Sequence, residues 1–132
     1  MKSKIRLEGL TLTVKNVKRS ITYYKKIGFK CEWNAAPAFG MIRVGGPGGG
    51  TIGLLVASIA KKEGAVKTSA KQNRGVHVEL STDNLDRLYK ELKSKGIKFA
   101  VPPHDEPWER SATAYDPDGY SVELSQGRRG KK

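Results

Sequence analysis

Hydrophobic and polar positions follow the same order twice along the chain. Leu10, Leu12 and Val14 alternate with Gly9, Thr11 and Thr13, the period-two pattern of a half-buried strand. Val17, Ile21 and Tyr24 then recur at helical spacing, and Gly28 closes the segment. In the second half Val76, Val78 and Leu80 alternate with His77, Glu79 and Ser81. Thr82, Asp83 and Asn84 offer N-cap side chains. Leu85, Leu88, Tyr89 and Leu92 fall on one helix face. Gly96 ends that helix, with Lys93 and Lys95 in its last turn, where the helix dipole favours cations.

Sliding residue 9 onto residue 77 lays "GLTLTVKNVKRSITYYKKIGF" over "HVELSTDNLDRLYKELKSKGI" without a gap. Identity is low, but each copy reads strand, polar break, helix, glycine. Strand-like pieces with Gly and Pro punctuation follow each helix. In the first half these are "FKCEW", "GMIRV", the loop "GGPGGG" and "TIGLLVA". In the second they are "IKFAV", the loop "PPHDEP", "SATAY", the turn "DPDG" and "YSVELS". The pattern predicts an α+β fold of two tandem βαβββ modules. Module one covers about 5–57 and module two about 75–127, joined by a polar connector over 58–74 and followed by a basic, disordered tail over 128–132.

A chain of 132 residues suits one domain of two small modules. No stretch reaches the roughly 20 apolar residues of a membrane span, and the start has no apolar signal region. Cys31 is the only cysteine, so no internal disulfide forms. Together these features point to the cytoplasm.

The charge is uneven. The chain holds 25 Lys+Arg against 13 Asp+Glu, a formal net charge of +12. Most of the excess lies in the first half. Such an excess attracts anions in general and suits an anionic small molecule, a nucleic-acid backbone or an acidic protein. The chain has no helix-turn-helix, zinc finger or aromatic-plus-basic RNA motif. Nucleic acid is therefore not the expected partner. Non-specific binding through the basic surface stands as a third reading.

The two βαβββ copies, with "YDPDGYSVEL" (115–124), the run from His77 to Gly96 and "SITYYKKIGF" (20–29), resemble the glyoxalase / bleomycin-resistance / extradiol-dioxygenase superfamily, the vicinal oxygen chelate proteins. The resemblance covers about residues 5–127. It implies a cupped mixed sheet, a cavity, a small-molecule ligand and a homodimer. In the family's enzymes it implies a divalent metal (zinc, nickel, manganese or iron) that polarises vicinal oxygens of substrate. Other members bind a drug without metal.

Carried over residue by residue, His77 falls on the second module's histidine position and Glu123 on its glutamate position. In module one, Gly9 stands at the first ligand position and Gly53 at the other. Two protein ligands are fewer than the three of a catalytic zinc site or of a facial triad. Glu79 lies on His77's face by alternation and is the candidate third ligand or general base. His104 stands at no family ligand position.

The same alternation predicts a cavity lined by Gly9, Thr11, Thr13, Gly53, Leu55, His77, Glu79, Ser81, Ser121, Glu123 and Ser125. Gly9 and Gly53 are expected to open volume there. Trp33 and Trp108 are candidates to stack on a flat ligand, and Arg43 and Arg110 to hold an anionic group. "GGPGGG" lacks the GK[ST] ending of a phosphate loop and reads as a loop at the cavity rim. The sequence thus points to binding of a small anionic molecule beside a degenerate metal site. The alternative is a divalent-metal-dependent lyase, isomerase or dioxygenase using His77 and Glu123.

Overall fold

The computed structural model describes residues 4–45 and 49–127. The expected tail at 128–132 and the middle of the "GGPGGG" loop lie outside these residues. The chain divides into two compact units between Lys67 and Thr68. Each unit contains one four-stranded mixed sheet, which bears out the two-module α+β reading.

Unit one contains β1 (Gly9–Val14), α1 (Val17–Ile27), β2 (Lys30–Ala35), β3 (Phe39–Arg43), β4 (Thr51–Val56) and a short α2 (Ala57–Lys62). The sheet order is β1-β4-β3-β2, with β1 parallel to β4 and the other pairs antiparallel. α1 therefore carries the chain from one sheet edge to the other. It starts where the Asn16 side chain accepts from the Arg19 amide at 3.0 Å, an N-cap bond. Its apolar face, Val17, Ile21 and Tyr24, is buried with Leu12, Val14, Ile42 and Leu54. Leu10 precedes them on the same parity but is 60% exposed, so burial begins at Leu12. Gly40 leaves room for α1 to lie against β3: a Cβ there would sit 2.9 Å from Ile21.

Unit two contains α3 (Ala70–Asn73), β5 (His77–Ser81), α4 (Leu85–Ser94), β6 (Phe99–Asp105), β7 (Glu109–Tyr115) and β8 (Ser121–Gly127). Its sheet order, β5-β8-β7-β6, repeats that of unit one. Asn84 caps α4 through the Arg87 amide at 3.1 Å, and Gln126 on β8 accepts from the Leu85 amide at 2.8 Å. Val78, Leu85, Leu92, Ala112, Ala114, Val122 and Leu124 are buried between this helix and its sheet.

Two local details refine the expected pattern. The polar connector expected over 58–74 contains most of α2 and all of α3. α3 carries a capping box, in which Ser69 and Gln72 bond each other's backbone amides. "PPHDEP" is not all loop, because β6 runs through Pro102, Pro103 and His104 to Asp105. β6 is an edge strand with register shifts, and a proline on an edge removes no ladder bond that the sheet needs.

Candidate functional site

Each sheet has one face under its helix. The other face carries the residues of interest. In unit two the parallel pairing sets His77 beside Ser121, Glu79 beside Glu123, and Ser81 beside Ser125. β7 then sets Thr113 beside Glu123 and Ser111 beside Ser125, and β6 sets His104 beside Ser111. Alternation puts all of these side chains on the face turned away from α4. Glu109, two residues before Ser111, shares that face. Sequence reasoning missed Glu109 and set His104 aside. The parity of Glu109 with Ser111 and Thr113 was the available signal.

Glu123 lies between Glu79 on β5 and Thr113 on β7. Its carboxyl is pushed above the ordinary glutamate range, first by burial, then by the charges of Glu109 and Glu79; His77 and His104 oppose the shift. Glu79 and His77 are exposed. The His104 ring bonds the Pro102 carbonyl at 3.0 Å through Nδ1 and Glu106 at 3.2 Å through Nε2. Its pKa is raised, chiefly by the Pro102 carbonyl.

Unit one uses the same register. Gly9 pairs with Thr51 and Thr11 with Gly53, as His77 pairs with Ser121 and Glu79 with Glu123. Gly9 and Gly53 therefore occupy the places of His77 and Glu123. These places are closed, contrary to the expectation that the glycines open volume. A Cβ at Gly9 would lie 2.1 Å from the Thr51 carbonyl oxygen. A Cβ at Gly53 would lie 2.7 Å from Thr11 Oγ1 and 3.2 Å from the Phe39 ring. β3 and β2 extend this face with Met41, beside Gly53, and Trp33, beside Met41. Trp33 meets Phe39 edge-on at 5.7 Å between ring centroids and stays 59% exposed. Leu55 and Thr13 are half-buried on the same face, and Thr11 is exposed.

Both arginines nominated to clamp an anion are already held by carboxylates. Arg43 Nε donates to Glu32 at 2.6 Å, and a second nitrogen bonds the Gly49 carbonyl. Arg110 donates to Asp86 at 3.0 Å and to Asp105 at 3.1 Å. Arg110 shares parity with the buried Ala112 and Ala114, and Asp86 belongs to α4, so this arginine lies on the helix side of the sheet, opposite His77 and Glu123. Trp108 lies in the exposed turn between β6 and β7, 53% exposed, and Ser81 is exposed at the end of β5.

A divalent metal needs converging donors. Among the described residues no group of three or more His, Cys, Asp and Glu side chains is placed to hold one. His77, Glu79 and Glu123 share a face without forming such a group. The donor set does not fit the family's metal.

The sequence also matches the family model "Glyoxalase/Bleomycin resistance protein/Dioxygenase superfamily" over residues 6–124. The chain belongs to this superfamily. A search of curated protein sequences gives no match. Among solved structures, a glyoxalase/bleomycin resistance protein/dioxygenase from Nocardioides is 24% identical, with a TM-score of 0.78, over 99% of this chain and 89% of that one. A superfamily member from Sphaerobacter thermophilus is 23% identical, with a TM-score of 0.68, over 92% and 97%. A virulence protein from Salmonella typhimurium is 20% identical, with a TM-score of 0.75, over 96% and 100%. At these identities the likeness is one of fold, and the fold hosts many chemistries. Among the described residues no helix is long and apolar enough to cross a membrane.

Proposed function

We propose that this superfamily member binds a small organic molecule on a sheet face turned away from its helix, and that His77 and Glu123 are the remnant of a metal site. The observation that carries this reading is the closure at Gly9 and Gly53. Backbone, Thr11 and Phe39 occupy the places from which the other two ligands would project.

The ligand's polarity departs from what the net charge suggested. Glu79, Glu109 and Glu123 share one face, and Arg43 and Arg110 are engaged elsewhere. That face suits a hydrogen-bond donor or a cationic group rather than an anion. Taken by itself, the equivalent face of unit one, with Thr11, Thr13, Phe39, Met41, Leu55 and Trp33, is apolar and aromatic and suits an aromatic group. We further take the protein to be a cytoplasmic homodimer, on the family resemblance and the single Cys31. Light scattering on purified protein tests the dimer.

The deciding experiment is metal analysis and calorimetric metal titration of purified protein, on wild type and Glu123→Ala. No stoichiometric ion, and no binding at micromolar zinc, nickel, manganese or iron, is the expected outcome. A stoichiometric ion lost in Glu123→Ala would overturn the reading in favour of a metal-dependent lyase, isomerase or dioxygenase. A thermal-shift screen then compares cationic, neutral and anionic compounds, with cationic and donor-rich aromatics expected to give the larger shifts.

A further inference from the structure

The internal repeat supplies a control for the positive charge. α1 and α4 occupy equivalent places in the two units, each crossing its sheet with one apolar face buried. Their outer faces differ. α1 exposes Lys18, Arg19, Thr22, Lys25 and Lys26 and has no carboxylate. α4 mixes Asp86 and Glu91 with Arg87, Lys90 and Lys93. Lys15 and Lys30 flank α1 and are exposed as well.

Lys25 and Lys26 suit the last turn of the helix, but Lys18 and Arg19 work against its first turn. The N-terminus of a helix favours negative charge. α4 follows that rule with Asp86 in its first turn, whereas α1 has Lys18 and Arg19 there and no acid. A departure from local stability rules marks a surface shaped by something else. Lys18 and Lys25 form one row of the helix, and Arg19 and Lys26 a second beside it. The members of each row lie two turns apart, about 10 Å.

We infer that the outer face of α1 binds the phosphate backbone of nucleic acid without reading sequence. Protein interfaces centre on apolar and aromatic residues, and helices that lie on a membrane insert apolar side chains. Val17, Ile21 and Tyr24 are committed to the core of unit one, so the exposed rows of α1 offer cations and a threonine. Phosphate contacts need no apolar surface, and their strength comes from released counterions. The absence of a base-reading motif fits a contact of this kind.

The test is fluorescence anisotropy with a labelled DNA duplex, at about 50 mM and about 200 mM salt. Four cationic contacts predict an affinity loss of about 100-fold between the two salts. Lys18→Asp with Lys26→Ser gives α1 the residues that α4 has at the matching positions, Asp86 and Ser94. This double variant is expected to bind at least about 10-fold more weakly at the lower salt, with the salt-dependent loss reduced to about 10-fold. Lys90→Asp with Lys93→Ser removes the same charge from α4 and is expected to leave binding within about twofold, on the same counterion argument. Equal weakening by both pairs would overturn the inference, because net charge alone would then account for binding. No duplex binding at the lower salt would also overturn it. So would α1-dependent binding to phosphatidylserine vesicles without binding to duplex. A matching melting temperature for each variant establishes that the fold is kept.

Discussion

The two sheets have the same strand order and the same β-strand register, yet the faces turned away from their helices have diverged in opposite directions. Unit two keeps His77, Glu79, Glu123, Glu109 and His104 together with a row of serines. Unit one holds glycine at both ligand-equivalent positions: at exposed Gly9 a side chain would clash with the Thr51 backbone, and buried Gly53 is packed against Thr11 and Phe39. A shared fold has kept the positions in correspondence while the side chains moved from polar to apolar chemistry. The scaffold depends on the helix face, where Leu12 and Leu54 answer to Leu80 and Leu124. The other face is free to change, which is how one architecture serves many ligands.

The sharpest way to break this comparison is to restore a ligand to unit one. Gly9→His must place a Cβ where the Thr51 carbonyl already stands, 2.1 Å away. Backbone cannot yield as a flexible side chain can. The expected cost is about 2 kcal/mol or more, read as a lower urea midpoint with an unchanged slope. A variant as stable as wild type would mean that β1 and β4 shift apart easily, and that the closure is not what excludes the ligand.

Gly53→Glu meets side chains instead, Thr11 Oγ1 at 2.7 Å and the Phe39 ring at 3.2 Å. Its cost should therefore depend on Phe39. Phe39→Ala alone is expected to cost about 2 kcal/mol, because the ring is half-buried. In its presence Gly53→Glu should become milder, with a coupling of about 1 kcal/mol in a double-mutant cycle. Additive effects would place the resistance to a carboxylate in unit one somewhere other than the Phe39 ring.

Much of this difference could be read from the sequence, and its direction could not. Alternation along Gly9–Val14 and His77–Ser81 fixed which residues share a face, and Asn84 was one of three cap residues, with Thr82 and Asp83, that the sequence offered for α4. The correspondence of Gly9 with His77 follows from the repeat that lays residue 9 on residue 77, and that of Gly53 with Glu123 from matching Ile52 and Leu54 to Val122 and Leu124. What glycine means there does not, because Phe39 and the Thr51 carbonyl come from other parts of the chain. α2 and α3 were missed since neither is long enough to display a helical period, although Ser69 and Gln72 carried the capping-box spacing. Proline made Pro102 and Pro103 look like loop because the sequence does not say which strand lies at the edge. The face of Arg110 was legible from its parity with Ala112 and Ala114, and the attraction of a nearby cation outweighed that signal.

Arg110→Ala sharpens the comparison from the covered side. The Arg110 side chain is 29% exposed, and its partners Asp86 and Asp105 are 59% and 58% exposed. Exposed ion pairs contribute little and are screened by salt. A slight fall in melting temperature at low salt is expected, vanishing at high salt. Any ligand found in the screen should bind as before. Lost binding would put the ligand on the α4 side of the sheet and reverse the assignment of faces.

The gentlest probe is the carboxylate that unit one lacks. Glu123 has its pKa raised by burial and by Glu109 and Glu79, so the folded protein holds this proton more tightly than the unfolded chain does. The stabilising effect of that proton is complete below the ordinary glutamate range, about pH 4.3. It is lost as pH rises through the raised folded value. At neutral pH the ionised Glu123 therefore burdens the fold, and Glu123→Gln should melt at a higher temperature than wild type. As pH falls below the ordinary glutamate range, Glu123 becomes neutral in both states and the two curves should converge. If Glu123→Gln instead melts lower at neutral pH, the negative charge has a favourable partner that outweighs its burial and its acidic neighbours. His77 and His104 are the residues on that face to supply one, and His77→Ala or His104→Ala in the same background would then reduce the difference.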